Sequence, residues 1–239
     1  MKIYAGTSGF AYKEWKGQFY PEKIKPEEML GFYSEHLNTV EINNTFHRMP
    51  KESVLESWAE HVRGRFIFAL KAPQVITHIK RLRNVYEETD YFFRTSSVLH
   101  RKLGPVLFQF PKSFRVDKSL LEEFLNLVPG NACAFEFRSP TWIDDAVLNL
   151  LHEKGCSLCQ ADTDDEPVKD IISVGKWGYL RLRRADYSES ELNRWLERVH
   201  GQKWDKAFIF FKHEDTNGRS PLMAVRFREL AEVQYAVKG

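Results

Sequence analysis

Apolar and polar positions along this chain alternate between two rhythms. Short runs rich in β-branched and aromatic residues, patterned with period two, give way to polar turns and then to segments with apolar residues at helical spacing. The strand-like runs are Ile3 to Ser8, Thr39 to Asn43, Arg65 to Lys71, Val106 to Phe110, Ala132 to Arg138, Ser157 to Asp162, Gly178 to Arg183 and Ala207 to His213. Between them the spacing predicts a helix opening at Pro26, with Met29, Phe32, Tyr33 and Leu37 on its apolar face, and helices over Lys51 to Val62, Glu87 to Leu103, Lys118 to Val128, Thr141 to Lys154, Glu189 to His200 and Pro221 to Val233. Capping residues mark several ends: Asp117 and Ser188 as starts, and Gly155 as a left-handed stop. The sixth unit is the weak one. Thr163 to Gly175 is acidic, with only Val168, Ile171 and Ile172 for an apolar face, and predicts a reduced helix or a loop.

Eight strand-then-helix units demand right-handed crossovers and suit closure, so the expected fold is α/β, a TIM-type (β/α)8 barrel in one domain spanning 1–239. An open doubly wound sheet is the alternative. It is disfavoured because Gly6-Thr7-Ser8-Gly9 lacks the third glycine of a dinucleotide turn and no helix follows at once.

Composition narrows the setting. Of 239 residues 43% are hydrophobic, enough to bury a core, and 35 basic against 33 acidic side chains leave a net charge of +2 that does not by itself indicate nucleic acid. No apolar run reaches the roughly 18 residues of a membrane span and no signal-peptide pattern opens the chain, so the expectation is a cytoplasmic protein without a membrane partner. Cys133, Cys156 and Cys159 are an odd set in a chain that needs no staples. Cys156 and Cys159 form a C-x-x-C without a second pair, which reads as buried thiols rather than zinc.

In a barrel, polar residues at the carboxyl ends of strands look into the mouth. Here those ends carry Glu41 and Asn43, Lys71, Gln109, Glu136 and Arg138, Asp162, and Arg181 with Arg183. Singly, each is an ordinary solvated or ion-paired residue. Six successive strands contributing them make a candidate site, or a mutually neutralised ring. Glu41, Glu136 and Asp162 could work as acid and base on a glycosidic bond, provided one carboxyl stays protonated. With His47, His78 or His213 they could instead hold a divalent metal, though no spacing is diagnostic. Lys71, Arg138 and Arg181 favour an anionic ligand over a metal. The aromatic segment from Gly6 to Pro21 is long for a strand-to-helix loop and reads equally as a lid or as a cover, while Phe46 and Trp142 follow strands two and five and could line the mouth. Serine-nucleophile and P-loop motifs are absent.

The stretch Gly6-Thr7-Ser8-Gly9, with Trp15, Gly17 and Phe19-Tyr20-Pro21, then Thr39 to Phe46, Lys71, Ile76-Thr77-His78, Leu103 to Pro111, Glu136-Phe137-Arg138 and Ala161-Asp162, resembles the YecE-like proteins, the family called domain of unknown function seventy-two. The resemblance implies a TIM-type barrel and carries no established reaction. Its recurring polar positions fall on Glu41, Asn43, Thr45, Lys71, His78, Gln109, Glu136, Arg138, Asp162 and Arg181. The chain departs from the family at Phe211-Lys212-His213-Glu214, where an Asn-rich end is usual, and at Tyr179 to Arg184, where a His-Gly pair is replaced by a more basic run.

The functional expectation is an enzyme of hydrolase or lyase type acting on a small polar or anionic substrate. Glu41, Glu136 and Asp162 would be its catalytic carboxylates, with Asp162 otherwise orienting an arginine. Asn43, Thr45, Lys71, His78, Gln109, Arg138 and Arg181 would bind the substrate. No cofactor is assignable. The alternatives are a non-catalytic binder of nucleic acid or of a phosphorylated metabolite, and a metal-dependent phosphodiesterase.

Overall fold

A computed structural model describes residues 1–212 and 218–237. Eight parallel strands run β1 Lys2–Thr7, β2 Thr39–Ile42, β3 Ile67–Lys71, β4 Leu103–Phe110, β5 Cys133–Phe137, β6 Ser157–Asp162, β7 Trp177–Leu182 and β8 Lys206–Phe211. Their order, β1-β8-β7-β6-β5-β4-β3-β2, is that of a TIM-type (β/α)8 barrel. The helices are α1 Met29–His36, α2 Asn44–His47, α3 Glu52–His61, α4 Tyr86–Ser96, α5 Lys118–Leu125, α6 Asp145–Glu153, α7 Glu189–His200 and α8 Arg219–Val237. Among the described residues no helix is long and apolar enough to cross a membrane. His213 and Glu214, read as the end of the last strand, lie outside the described residues.

Strand parity sorts the side chains. Tyr4, Ile67, Ala69, Leu107, Ala134, Cys159, Trp177, Tyr179, Phe208 and Phe210 fill the barrel, while Val40, Phe68, Leu70, Phe108, Phe135 and Ile209 pack outward beneath the helices. The helix expected to run to Leu103 stops earlier. After Ser96 the chain makes a 3₁₀ turn, and His100 adopts φ 48°, which no helix accommodates, so β4 begins at Leu103. The helix expected from Thr141 starts at Asp145, because Pro140–Trp142 forms its own 3₁₀ turn and Asp144 caps the helix by accepting from the Ala146 N–H at 2.9 Å. The stop at Gly155 (φ 67°), the Ser188–Glu191 capping box and the Asp117 cap are as the sequence indicates.

Closure is weakest between β1 and β2, which share a single backbone bridge, Ser8 with Glu41. Side chains take over the missing ladder. The Ala5 N–H donates to Asn38 Oδ1 (2.9 Å), Asn38 Nδ2 donates to the Ile3 carbonyl (3.1 Å), the Thr7 N–H donates to Tyr33 Oη (2.8 Å), and Tyr33 donates to the Thr39 carbonyl (3.0 Å). Gly6 permits this approach: a Cβ there would lie 2.0 Å from the Thr39 carbonyl oxygen.

No helix connects β6 to β7. Outward-facing Gln160 bonds the Asp170 carbonyl (3.1 Å) and the Ile172 N–H (2.7 Å), and Asp162 accepts from the Val168 N–H (2.8 Å), so strand side chains satisfy the linker's backbone. Arg198 of α7 clamps the other side through the Val168 and Lys169 carbonyls.

Candidate active site at the barrel mouth

Inward parity carries Glu41, Lys71, Gln109, Glu136 and Arg181 to the carboxyl ends of five strands, and the interior brings Glu41, Glu136 and Arg181 into contact. Arg181 spans the barrel: Nη2 donates to Glu41 Oε1 at 2.9 Å and Nη1 to Glu136 Oε2 at 2.8 Å. Two residues earlier on the same face, Tyr179 donates to Glu41 Oε2 at 2.7 Å, and Ser8 (2.8 Å) and Asn43 Nδ2 (3.1 Å) donate to Oε1. Cys159 Sγ lies 3.7 Å from Glu136 Oε2. This floor is sealed: Glu41 is 0% exposed, Arg181 3% and Glu136 4%.

The rim above it is open. Arg138 is half exposed, with Nε 3.4 Å from Glu136 Oε1. Lys71 and His78 are partly buried. The Lys71 ammonium makes no hydrogen bond or ion pair among the described residues and rests on the face of Phe46, 4.1 Å from the ring centroid. Phe46 in turn meets His78 edge to face at 4.9 Å, and Thr77 Oγ1 lies 2.9 Å from His78 Nδ1. His78 sits in a π-helical turn, Val75–Ile79, followed by Arg81, Leu82 and Asn84 at positive φ. That backbone is strained for L-residues, as segments at functional sites often are. Gln109 is buried beside Glu136 in the β4–β5 register.

Electrostatics assign protonation states. Burial alone would raise the Glu41 pKa, but the Arg181 charge and the hydrogen bonds from Tyr179, Ser8 and Asn43 overcome it and bring it down to about 2. Glu136, also penalised by burial, is lowered by Arg181 and then Arg138. Both carboxylates are therefore ionised at neutral pH, and neither is the protonated acid a glycosidase pair requires. Burial, then the Arg181 charge, lowers Lys71 to about 8, and burial with Lys71 and Arg138 lowers His78. Lys71 is thus drawn toward neutrality, while the neutral imidazole of His78 is favoured. Among the described residues two carboxylates face three cationic side chains, Lys71, Arg138 and Arg181, a positive surplus.

Three expected members lie elsewhere: Asp162, Trp142 and Thr45. Asp162 is on the outward face of β6, where it accepts from Arg184 Nε (2.7 Å) and Tyr187 Oη (2.7 Å). It orients an arginine as anticipated, but not one of the mouth. Trp142 is buried outside the barrel, stacked on Phe137 at 4.6 Å, with its indole N–H on the Phe114 carbonyl. Thr45 holds the loop rather than facing the mouth, its hydroxyl donating to the Lys71 carbonyl at 2.6 Å. His47 is exposed at the end of α2. Among the described residues no three His, Cys, Asp or Glu side chains converge as a metal donor set. Tyr179 and Ser8 were missed as members of the cluster, although Tyr179 shares Arg181's parity on β7.

Of the aromatic opening segment, Trp15, Phe19 and Tyr20 are buried, and Phe19 packs on Phe32 and Tyr33 of α1. Phe10 and Tyr12 instead line a concavity of about 400 Å³ beside the charged cluster, together with Asn43, Asn44, Trp58 and His61.

Barrel and mouth together define a TIM-type barrel protein with a buried carboxylate–guanidinium–carboxylate floor and a basic rim. The chain belongs to the family described as "Protein of unknown function DUF72", whose sequence model matches residues 4–238. It is 28% identical over 216 residues to the UPF0759 protein YunF of Bacillus subtilis (strain 168), covering 85% of this chain and 73% of that one. The crystal structure of a DUF72 family protein from Thermotoga maritima superposes with a TM-score of 0.85 at 26% identity, over 97% of this chain and all of the other. One from Enterococcus faecalis V583 gives 0.76 at 18% identity, over 96% and 95% of the two chains, a likeness of fold.

Proposed function

We propose that the chain is an enzyme of the hydrolase or lyase type that acts on a small anionic substrate at the carboxyl-terminal mouth of the barrel. The observation that carries this reading is the division of labour around Arg181. Its fork occupies both buried carboxylates and leaves the Lys71 amine, among the described residues, without an ion-pair partner at the open rim. An ion-pair network serving stability alone would pair every charge it buries. In this reading Arg138 and Lys71 receive the anionic group, Asn43 and Gln109 orient the substrate, and Lys71 and His78 carry protons. Glu41 and Glu136 stabilise positive charge that develops during the reaction rather than carrying protons themselves. A cytoplasmic setting fits the three free, buried cysteines.

Incubation with a panel of small phosphorylated and carboxylated compounds, followed for new products by NMR, tests the reading. Turnover of at least one compound that is lost in Lys71→Met and in Glu136→Gln supports it. Binding without turnover across the panel, with affinity falling steeply as salt rises, replaces the enzyme with a binder of phosphorylated metabolites or nucleic acid.

A further inference from the structure

We propose that Lys71 is a covalent catalyst whose Nζ condenses with the carbonyl carbon of a small anionic oxo compound, an oxo acid or a phosphorylated aldehyde or ketone, to form an imine. The inference rests on the mouth being an anion site, as proposed above, and names the substrate class and the chemistry.

Four features of the geometry favour covalency over simple proton transfer. Glu41 and Glu136 belong to the same cluster as Lys71, yet Arg181 occupies both, so neither of them captures the ammonium. The amine sits against an aromatic face, 4.1 Å from the Phe46 centroid, which offers no acceptor to hold its protons in a fixed direction. Arg138 stands half exposed beside Glu136, where it can hold an anionic group a few bonds from a carbonyl. His78 meets the same Phe46 ring edge to face at 4.9 Å, and the Lys71 charge acts on it. The surroundings also keep a larger share of the amine neutral, on the order of a hundredfold more than an ordinary lysine near pH 7.5.

The step balances without an external co-reactant. The lone pair of the neutral amine attacks the carbonyl carbon, and the C=O π pair moves onto oxygen, which takes a proton to give the carbinolamine. The proton that the neutral His78 imidazole took from the Lys71 ammonium, freeing that lone pair, then passes to the departing hydroxyl; the nitrogen lone pair forms the C=N bond with one hydrogen still on nitrogen, and the carbonyl oxygen leaves as water carrying two of the three protons of the original ammonium. The product is the iminium, a cation in the same cluster as Glu41 and Glu136, whose ionised carboxylates stabilise it, and it becomes the electron sink for cleavage at the adjacent carbon.

Borohydride trapping tests this directly. The full-length protein is treated with sodium borohydride together with pyruvate, glyceraldehyde 3-phosphate or dihydroxyacetone phosphate, and the products are read by intact mass and peptide mapping. The expected result is a reduced adduct with at least one probe, on the peptide containing Lys71, suppressed by inorganic phosphate and absent from both Lys71→Met and Lys71→Arg. No adduct at Lys71 with any probe, or labelling spread evenly over surface lysines, overturns the imine. In parallel, ¹³C NMR of lysine-labelled protein with inorganic phosphate separates the two claims. A shifted Lys71 resonance without trapping leaves the anion site standing and removes only the covalent step, while neither response removes both.

Discussion

Arg181 is the residue on which the mouth depends. Removing it leaves two ionised carboxylates buried with no counter-charge, so Arg181→Met is expected to cost about 3–5 kcal/mol in chemical denaturation, far more than a surface arginine would. The carboxylates give the pH response its sign. Glu41 is held near 2 when folded, below the ordinary 4.5. Its contribution to stability is therefore complete above about pH 4.5 and is lost as pH falls through 2. Denaturant midpoints measured from pH 6 to pH 2 should decline in this window, and the decline should be shallower in Glu41→Gln. Lys71 has the opposite consequence. Its folded pKa of about 8 lies below the ordinary 10.5, so the folded state holds fewer protons than the unfolded chain between these values and stability rises with pH across them. Lys71→Met should abolish that rise and raise the neutral-pH stability by about 1–2 kcal/mol, the partial exposure of the side chain limiting the gain. If the same substitution also removes the proposed activity, the Lys71 charge is kept for chemistry rather than for the fold.

At the scale of elements, two joints replace regular structure with side-chain bonds. The seam between β1 and β2 depends on Gly6, Asn38 and Tyr33. Gly6→Ala would drive a methyl group into the Thr39 carbonyl and is expected to destabilise the barrel by about 1–3 kcal/mol, visible as a lowered Tm. Because Ser8 and Glu41 bridge the same seam, the mutant should also weaken anion binding. The helix-free linker after β6 depends on Asp162, which receives Val168, Arg184 and Tyr187. Asp162→Ala should open this linker to hydrogen exchange and cost about 3–5 kcal/mol, while the Lys71 environment stays as it is. Loss of the Lys71 environment in that variant would place Asp162 back among the mouth residues.

For the molecule as a whole, the order of strands and helices was legible because every unit repeats one hydrophobic rhythm, and the convergence of Glu41, Lys71, Glu136 and Arg181 followed from period-two parity once a barrel was assumed. Parity failed where the strand gives no alternation to count. Ser157-Leu158-Cys159-Gln160-Ala161-Asp162 mixes small and polar residues on both faces, and its inward set turns out to contain Cys159, which leaves Asp162 outside. Trp142 was misplaced because it follows β5 through a 3₁₀ turn that carries it behind the barrel. The protonation states were not legible, since they arise from Arg181 reaching Glu41 across 140 positions of sequence. That long-range pairing makes four strands, β2, β3, β5 and β7, one electrostatic unit, with Lys71 as its reporter. The most direct test is a ¹³C NMR titration of the Lys71 side chain in the native protein, assigned by its loss in Lys71→Arg. A midpoint near pH 8 is the predicted result; a midpoint at or above the ordinary lysine value of 10.5 would contradict the account.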